Sequence, residues 1–473
     1  MNNYTKAMIL RMARLSGVTV SDDHLRILKF AYDYYGKHQI GPLYRNFEKQ
    51  IGVDKQRLDS LFPHGLQSIY TWIGIPIQSP DSPCKPIPEI SVKEYREVYL
   101  DHQATTYLRK EVVDLLNRFN KGALGFGNPS SSTLLGKQAH DLIQAARAQV
   151  ARGLNVNPER LIFVSGGSEA NNLAIKGLAF KHLKKKGRII TSQVEHPSVL
   201  ESVRFLEGLG FKADYLGVDR EGRVSPRDLK KHLQADTFLV AIMAANHEIG
   251  TVNPLEEIGE ICRKARVPFM TDAVQAFGRI DLRPKEMGIS LLSLSGHKIY
   301  APKGVGVLYL DEDISLGPLI HGGGQENGLR SGTENVGSIC ALGKAAEMIV
   351  RDMTKENKRL RALKDYFLEG LRRIGPDNLI NGSLTHRLPH NLSIGFPGVD
   401  GGALLLALNQ IGVFVSSGAA CSAGNQGGSH VLRAIGINSE KVGVIRFSFG
   451  LRTTQEDLDY VLEHLPVILE KLK

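Results

Sequence analysis

Three widely separated residues, Asp272, Lys298 and Cys421, carry the chemistry that this sequence is equipped for. Asp272 closes the apolar run V-P-F-M-T-D. Lys298 follows S-G-H where L-S-L-S breaks off, and Cys421 sits in S-S-G-A-A-C-S-A-G. Each has a plain reading. An aspartate at a strand end caps the next helix, a loop lysine is solvated, and a cysteine among small residues is incidental. Each also has a chemical one. A fixed carboxylate holds a proton on a heteroaromatic nitrogen, and a partly desolvated lysine serves as a Schiff-base amine. A cysteine with nothing large to pack against belongs to a loop that carries its thiol, because small residues reorder at little cost.

Other stretches supply matching parts. In L-I-F-V-S-G-G-S-E-A-N-N-L-A-I-K a strand runs through Gly166 and Gly167 into a helix. The free N–H groups there, with the Ser168 hydroxyl, suit a phosphate, although many Gly-Ser turns bind nothing. Gln275, one turn past Asp272, can donate to an oxygen, and His196 in V-E-H-P-S-V-L can stack on a ring. A phosphate cradle, an acid, a lysine and a histidine face together meet the needs of pyridoxal 5'-phosphate.

The elements that must position them follow from the texture of the chain. R-L-I-F-V-S, T-F-L-V-A-I-M-A-A and V-P-F-M-T-D read as buried strands, with helices such as Leu255 to Arg266 between them. That alternation predicts an α/β fold: a mostly parallel sheet flanked by helices, with ligands at the carboxyl ends of the strands. Ile75 to Ile90 holds five prolines and reads as an arm or linker. Before it the chain is mainly helical, with Ser21 capping a helix whose Leu25, Leu28, Ala31 and Tyr32 form the apolar stripe.

At 473 residues two or three domains are expected. The four cysteines, Cys84, Cys262, Cys340 and Cys421, form no C-x-x-C pair, so neither a disulfide framework nor a metal site is expected, and a reducing compartment fits. Cys262 and Cys340 lie in apolar helical patterns and read as core. The N-terminus lacks a secretory pattern and no apolar run suits a membrane span, which makes the cytoplasm the expected address. A net charge of +10 permits acidic partners, but no basic block with interleaved aromatics singles out nucleic acid.

From about Val98 onward the chain resembles the class V aminotransferases, and within them the NifS/IscS-type (group I) cysteine desulfurases. The resemblance rests on Y-L-D-H-Q-A-T-T (99–106), G-N-P-S-S (127–131), S-G-G-S-E-A-N-N (165–172) and E-H-P-S-V-L (195–200). It continues with N-H-E-I-G-T (246–251), D-A-V-Q (272–275), S-G-H-K (295–298), G-G-G-Q-E-N-G-L-R-S-G-T-E-N (322–335), S-S-G-A-A-C-S (416–422) and I-R-F-S-F-G (445–450). It implies the fold type I architecture of pyridoxal-phosphate enzymes, with a seven-stranded sheet and a small C-terminal α/β domain. It also implies that Lys298 binds the cofactor aldehyde, Asp272 the ring nitrogen and Gln275 the phenolic oxygen, with His196 stacked on the ring. Gly167, Ser168, Ser295 and His297 would hold the phosphate, joined by Thr333 from the second subunit of a homodimer. Asn246 and Arg446 would bind the α-carboxylate of L-cysteine, and Cys421 would take its sulfur as a persulfide for a protein acceptor. A selenocysteine lyase or an aminotransferase of the same fold is the near alternative; a non-catalytic sulfur-carrier or RNA-binding platform is the distant one.

Residues 1–84 resemble the DsrC/TusE family of sulfur-relay proteins through L-S-G-V-T-V-S-D-D-H-L-R-I-L (15–28), F-A-Y-D-Y-Y (30–35), G-P-L-Y-R (41–45) and L-F-P-H-G-L-Q-S-I-Y-T-W-I-G-I-P (61–76). Cys84 lies on the arm where that family carries its relay cysteine, although the arm is longer here and runs on into further chain. The expected division is 1–84 relay region, 85–97 linker, 98–350 cofactor domain and 351–473 small C-terminal domain. Iron–sulfur assembly, tRNA thiolation and dissimilatory sulfur metabolism all start from such a persulfide; the fused region points to a relay.

Overall fold

The computed structural model describes residues 9–14, 16–38, 41–73, 90, 92, 95–122, 124–375, 377–417, 428–438 and 441–472. Cys84 and Cys421 lie outside the described residues. No helix among the described residues is long and apolar enough to cross a membrane.

The N-terminal helices Asp22–His38, Tyr44–Ile51, Lys55–Leu61 and Leu66–Ile73 close around Ile27, Leu28, Phe47, Phe62 and Trp72. One expectation fails here. Leu25 is exposed, while His24 and Ile27 are buried. Hydrogen bonding explains the buried ring: His24 Nδ1 meets Ser21 Oγ at 2.7 Å, and its Nε2 donates to Leu61 O at 2.9 Å. The Ser21 hydroxyl is thus engaged with a side chain.

Val98–Tyr99 (β1) opens the larger part of the chain. Seven strands then form one sheet: Leu161–Val164 (β2), Arg188–Ser192 (β3), Lys212–Leu216 (β4), Thr237–Ala241 (β5), Phe269–Asp272 (β6), Leu291–Ser295 (β7) and Gly306–Leu310 (β8). Their order is β2-β8-β7-β6-β5-β3-β4. All neighbours are parallel except β8, which runs antiparallel to both β2 and β7. The alternation of each strand sends one set of side chains to each face. Phe163, Ile190 and Val240 face one core, roofed by helices Leu134–Leu154 and Val336–Ile374. Ile162, Ile189 and Leu239 face the other, under helices Gly167–Phe180 and Pro197–Gly208.

The run expected as a strand to Ala245 ends as β5 at Ala241, yet stays extended: Ile242 and Ala244 donate to Met270 O and Asp272 O at 3.1 and 2.9 Å. Met243 N turns instead to the buried Glu195 carboxylate, 3.0 Å from each oxygen.

A second sheet takes Leu379–Asn381 (β9), Asn391–Pro397 (β10), Ser416–Ser417 (β12) and Val442–Ser448 (β13) in the order β12-β13-β10-β9, while Val413–Phe414 (β11) pairs with β1. The helix Val336–Ile374 is continuous; it packs in the large core as far as Ile349 and in the core under this sheet from Leu360 onward.

The glycine-rich 322–335 loop is pinned by a buried ion pair. Glu326 takes a fork from Arg147 at 2.7 and 2.8 Å and the Phe163 N–H at 2.8 Å. Removing one partner strands a buried charge, so a Glu326→Ala chain should lose about 3–5 kcal/mol, read as a lower urea midpoint.

Candidate active site

The carboxyl ends of β2, β6 and β7 open on one cavity of about 700 Å³, within the range of pockets that take small organic ligands. Gly167, Ser168, His196, Asp272, Gln275, Ser295, His297, Lys298 and Arg446 all line it. Sequence alone separates these residues by up to 279 positions (446 − 167); the fold brings them together.

Each is held by local structure. Gly167 begins its helix so close to the next turns that a Cβ there would lie 2.7 Å from Val274 Cγ2 and 3.6 Å from Ser295 Cβ. Only glycine lets the helix N-terminus, with its free N–H groups, approach the end of β7 in this way. Asp272 ends β6 with both oxygens engaged: Asn171 Nδ2 donates to Oδ2 at 2.7 Å, and the Val274 N–H to Oδ1 at 3.0 Å. Lys298 closes the tight turn Gly296–Lys298, and its Nζ donates to Gln103 O at 2.5 Å and Ala104 O at 2.8 Å. Gln275 Nε2 reaches the same Gln103 carbonyl at 3.1 Å.

The histidines are mostly held neutral. His196 caps the helix Pro197–Gly208, its Nδ1 accepting the Ser198 N–H at 3.1 Å. Burial, against a smaller opposing pull from Asp272, keeps it below the usual imidazole range. His297 is pushed down to about 4 by burial and by Lys298 and Lys303. Arg446 on β13 donates to His247 O at 2.8 Å and to Asp101 Oδ1 at 2.6 Å, leaving Nε buried and unpaired among the described residues.

Two expected residues are not brought in. Thr333 is exposed and does not line the cavity of its own chain. Asn246 does not line it either: its amide is engaged by its own turn and by Val194. Oδ1 accepts from the N–H groups of Glu248 and Ile249 at 2.8 and 3.0 Å, and Nδ2 donates to Val194 O at 3.0 Å. The next residue, His247, lines the cavity in its place. Sequence reasoning also missed Gln103, Asn171 and His430. Asn171 was findable, since it lies four residues after Gly167 and on the same helical face. Cys262 and Cys340 are buried as expected, and burial pushes both thiols up to about 12.

Four polar atoms on residues of this wall are buried without a partner among the described residues: Gln103 Nε2, Asn171 Oδ1, His247 Nδ1 and Arg446 Nε. Each costs about 1–3 kcal/mol if left so; a ligand carrying acceptors would offset that cost at the Gln103 and Arg446 donors, and one carrying a donor would do so at the Asn171 oxygen.

Residues 98–461 match the family described as aminotransferase class-V, and the chain belongs to that family of pyridoxal-phosphate-dependent enzymes. Residues 1–76 match the family described as DsrC like protein. Among its relatives, the chain is 49% identical over 379 residues to the cysteine desulfurase IscS of Dictyoglomus turgidum, an alignment spanning 80% of this chain and 96% of that one. It is 44% identical over 381 residues to the IscS of Methanosarcina thermophila, covering 80% and 94%. Among solved structures, a NifS-like protein superposes with a TM-score of 0.75 at 36% identity over 80% of this chain and 100% of that one. The NifS-like protein of Rickettsia africae gives 0.72 at 30% identity, covering 79% and 100%. The residues present fit the cofactor: a glycine-tight helix N-terminus for its phosphate, a carboxylate held by two donors for its ring nitrogen, and a lysine for its aldehyde.

Proposed function

We propose that this chain removes sulfur from L-cysteine, leaving L-alanine and a persulfide on Cys421, which is passed to a protein acceptor by way of Cys84. The observation that carries this reading is one cavity that gathers Lys298, Asp272, His196 and Arg446 and is also lined by Ser416 and Gly428. Cys421 falls between those last two in the sequence.

When bound, pyridoxal 5'-phosphate supplies an electron-accepting ring that stabilises negative charge at the substrate α-carbon. Gly167, Ser168, Ser295 and His297 would hold its phosphate. Asp272, itself held by Asn171 and the Val274 N–H, would pair with the ring nitrogen, Gln275 would hydrogen-bond the phenolic oxygen and His196 would stack on the ring. Lys298 would hold the aldehyde and take the α-proton. Arg446 binds the substrate carboxylate, with three of its five N–H donors uncommitted among the described residues. The Cys421 thiolate attacks the substrate sulfur: the S–S bond forms, the C–S bond breaks, and its electron pair stays with the carbon skeleton, which becomes alanine on protonation.

The chain acts as a homodimer in which Thr333 completes the partner's phosphate site. Support comes from a surface with Phe126, Leu134 and Leu135 exposed at 81, 73 and 51%. The domains are 1–84, 85–97, 98–350 and 351–473, and tethering Cys84 gives Cys421 an acceptor at roughly millimolar effective concentration.

Incubated with L-cysteine, the purified protein should form alanine and sulfane sulfur in equal amounts, and persulfide trapping should label both Cys421 and Cys84. Amino transfer to a keto acid without alanine formation would overturn the desulfurase reading. If a Cys84→Ser protein delivers sulfur onward as fast as the parent, the relay step is wrong.

A further inference from the structure

Two of the buried donors left without a partner in the cavity wall, Gln103 Nε2 and Arg446 Nε, belong to neighbouring pieces of chain. Gln103 N donates at 2.9 Å to the hydroxyl of Ser448, two residues beyond Arg446 on β13. Arg446 in turn donates at 2.6 Å to Asp101, two residues before Gln103. The turn after Asn246 ties them a second time. Arg446 Nη1 donates to His247 O at 2.8 Å, and the next carbonyl, Glu248 O, accepts from Asn391 Nδ2 at 3.1 Å. Asn391 is also the residue that holds the Gln103 side chain.

Hydrogen-bond direction fixes which way that side chain faces. A guanidinium only donates, and Arg387 Nη1 lies 2.7 Å from Asn391 Oδ1. Arg387 is itself buried and donates to Ser383 O at 2.6 Å. Asn391 therefore turns its NH2 group the other way, to Gln103 Oε1 at 2.5 Å and to Glu248 O. Turning the Gln103 amide over would set one NH2 group against another. The Gln103 oxygen is thus engaged, and both Nε2 hydrogens are uncommitted among the described residues. Gln103 is 1% exposed, and a buried donor left unpaired costs free energy that a bound acceptor recovers.

We propose that Gln103 binds the substrate α-carboxylate together with Arg446, in the place expected for Asn246. Gln103 Nε2 donates to one carboxylate oxygen and Arg446 to the other. This rests on the reading of Arg446 as the group that receives the carboxylate. The two donors do different work. The guanidinium supplies charge, and the neutral amide supplies selectivity: an amine without a carboxylate leaves Nε2 unpaired, so the site favours α-amino acids over simple amines. Replacing the Gln103 side chain leaves its main-chain carbonyl, which accepts from Lys298 Nζ and Gln275 Nε2, in place.

The test titrates the cofactor-loaded protein with L-alanine and with ethylamine, which is L-alanine without its carboxylate, and follows the cofactor absorbance. Gln103→Met removes the amide. Gln103→Glu keeps an oxygen for Asn391 and puts a negative charge where the donor was. L-Alanine should bind Q103M about tenfold or more weakly than the parent, the effect of losing one hydrogen bond to a charged group. It should bind Q103E more weakly still, because like charges then face each other. Ethylamine should bind Q103M as it binds the parent, whereas a merely structural role would weaken both ligands. With L-cysteine, KM should rise while kcat holds, since the carboxylate is gripped equally before and during the reaction. Parent-level binding of L-alanine to Q103M, or an equal loss for both ligands, would overturn the proposal. Should Q103M fail to fold, Q103E decides by the same two outcomes. An Arg446→Gln protein with the parent's affinity for L-alanine would overturn the underlying reading of Arg446 instead. If the parent forms no sulfane sulfur from L-cysteine, the desulfurase reading fails while the comparison of L-alanine with ethylamine still decides Gln103.

Discussion

A Lys298→Ala chain should form alanine from L-cysteine at least a thousandfold more slowly than the parent, with its fold intact. Two losses combine. On the proposed mechanism the covalent anchor for the cofactor aldehyde would disappear, and so would the amine that takes the α-proton, a role worth on its own about 10²–10⁴-fold. No other lysine lines the cavity among the described residues, so nothing nearby can stand in. Folding should survive, because Nζ donates to the Gln103 and Ala104 carbonyls beside an open cavity, where water can replace it. Two measurements check this: alanine formed per minute, and cofactor absorbance retained after dialysis, which should fall in the variant. An undiminished rate of alanine formation would overturn the catalytic account.

The part of this site that was legible in the sequence was the part written locally. Asp272 and Ser295 stand at the last positions of apolar runs, and those runs became β6 and β7, so the rule that ligands collect at strand ends located them. Gly167 was legible because its neighbours spell a strand, a turn and a helix. Asn246 shows where such reading stops. In N-H-E-I-G the asparagine was the familiar polar candidate, but its side chain is the one that folds back onto the N–H groups of its own turn. Asparagine at the head of a turn does this often, so the motif carried the warning. His430 carried none, since its place in the cavity wall depends on Glu195, 235 positions away (430 − 195), across a contact that no periodicity encodes. Leu25 failed for a related reason: a buried, doubly bonded His24 turned the helix stripe by about one residue.

A Cys421→Ser chain should keep its cofactor and still bind L-cysteine, yet lose sulfane sulfur production by on the order of a thousandfold or more. Attack on the substrate sulfur requires an ionised, soft nucleophile. A thiol with a pKa near about 8.5 supplies a few per cent of thiolate at neutral pH, whereas a serine hydroxyl supplies essentially none. The residues that would hold the cofactor and the substrate carboxylate, among them Asp272, Lys298 and Arg446, are separate from position 421 and stay in place. Binding should therefore persist, seen as an unchanged response of the cofactor absorbance to added L-cysteine, while sulfur release stops. This pairing of outcomes separates the desulfurase from an aminotransferase of the same fold, in which amino transfer needs no thiol and the serine variant would run at the parent rate. Sulfane sulfur formed at the parent rate by the serine variant would mean that the sulfur leaves without passing through position 421.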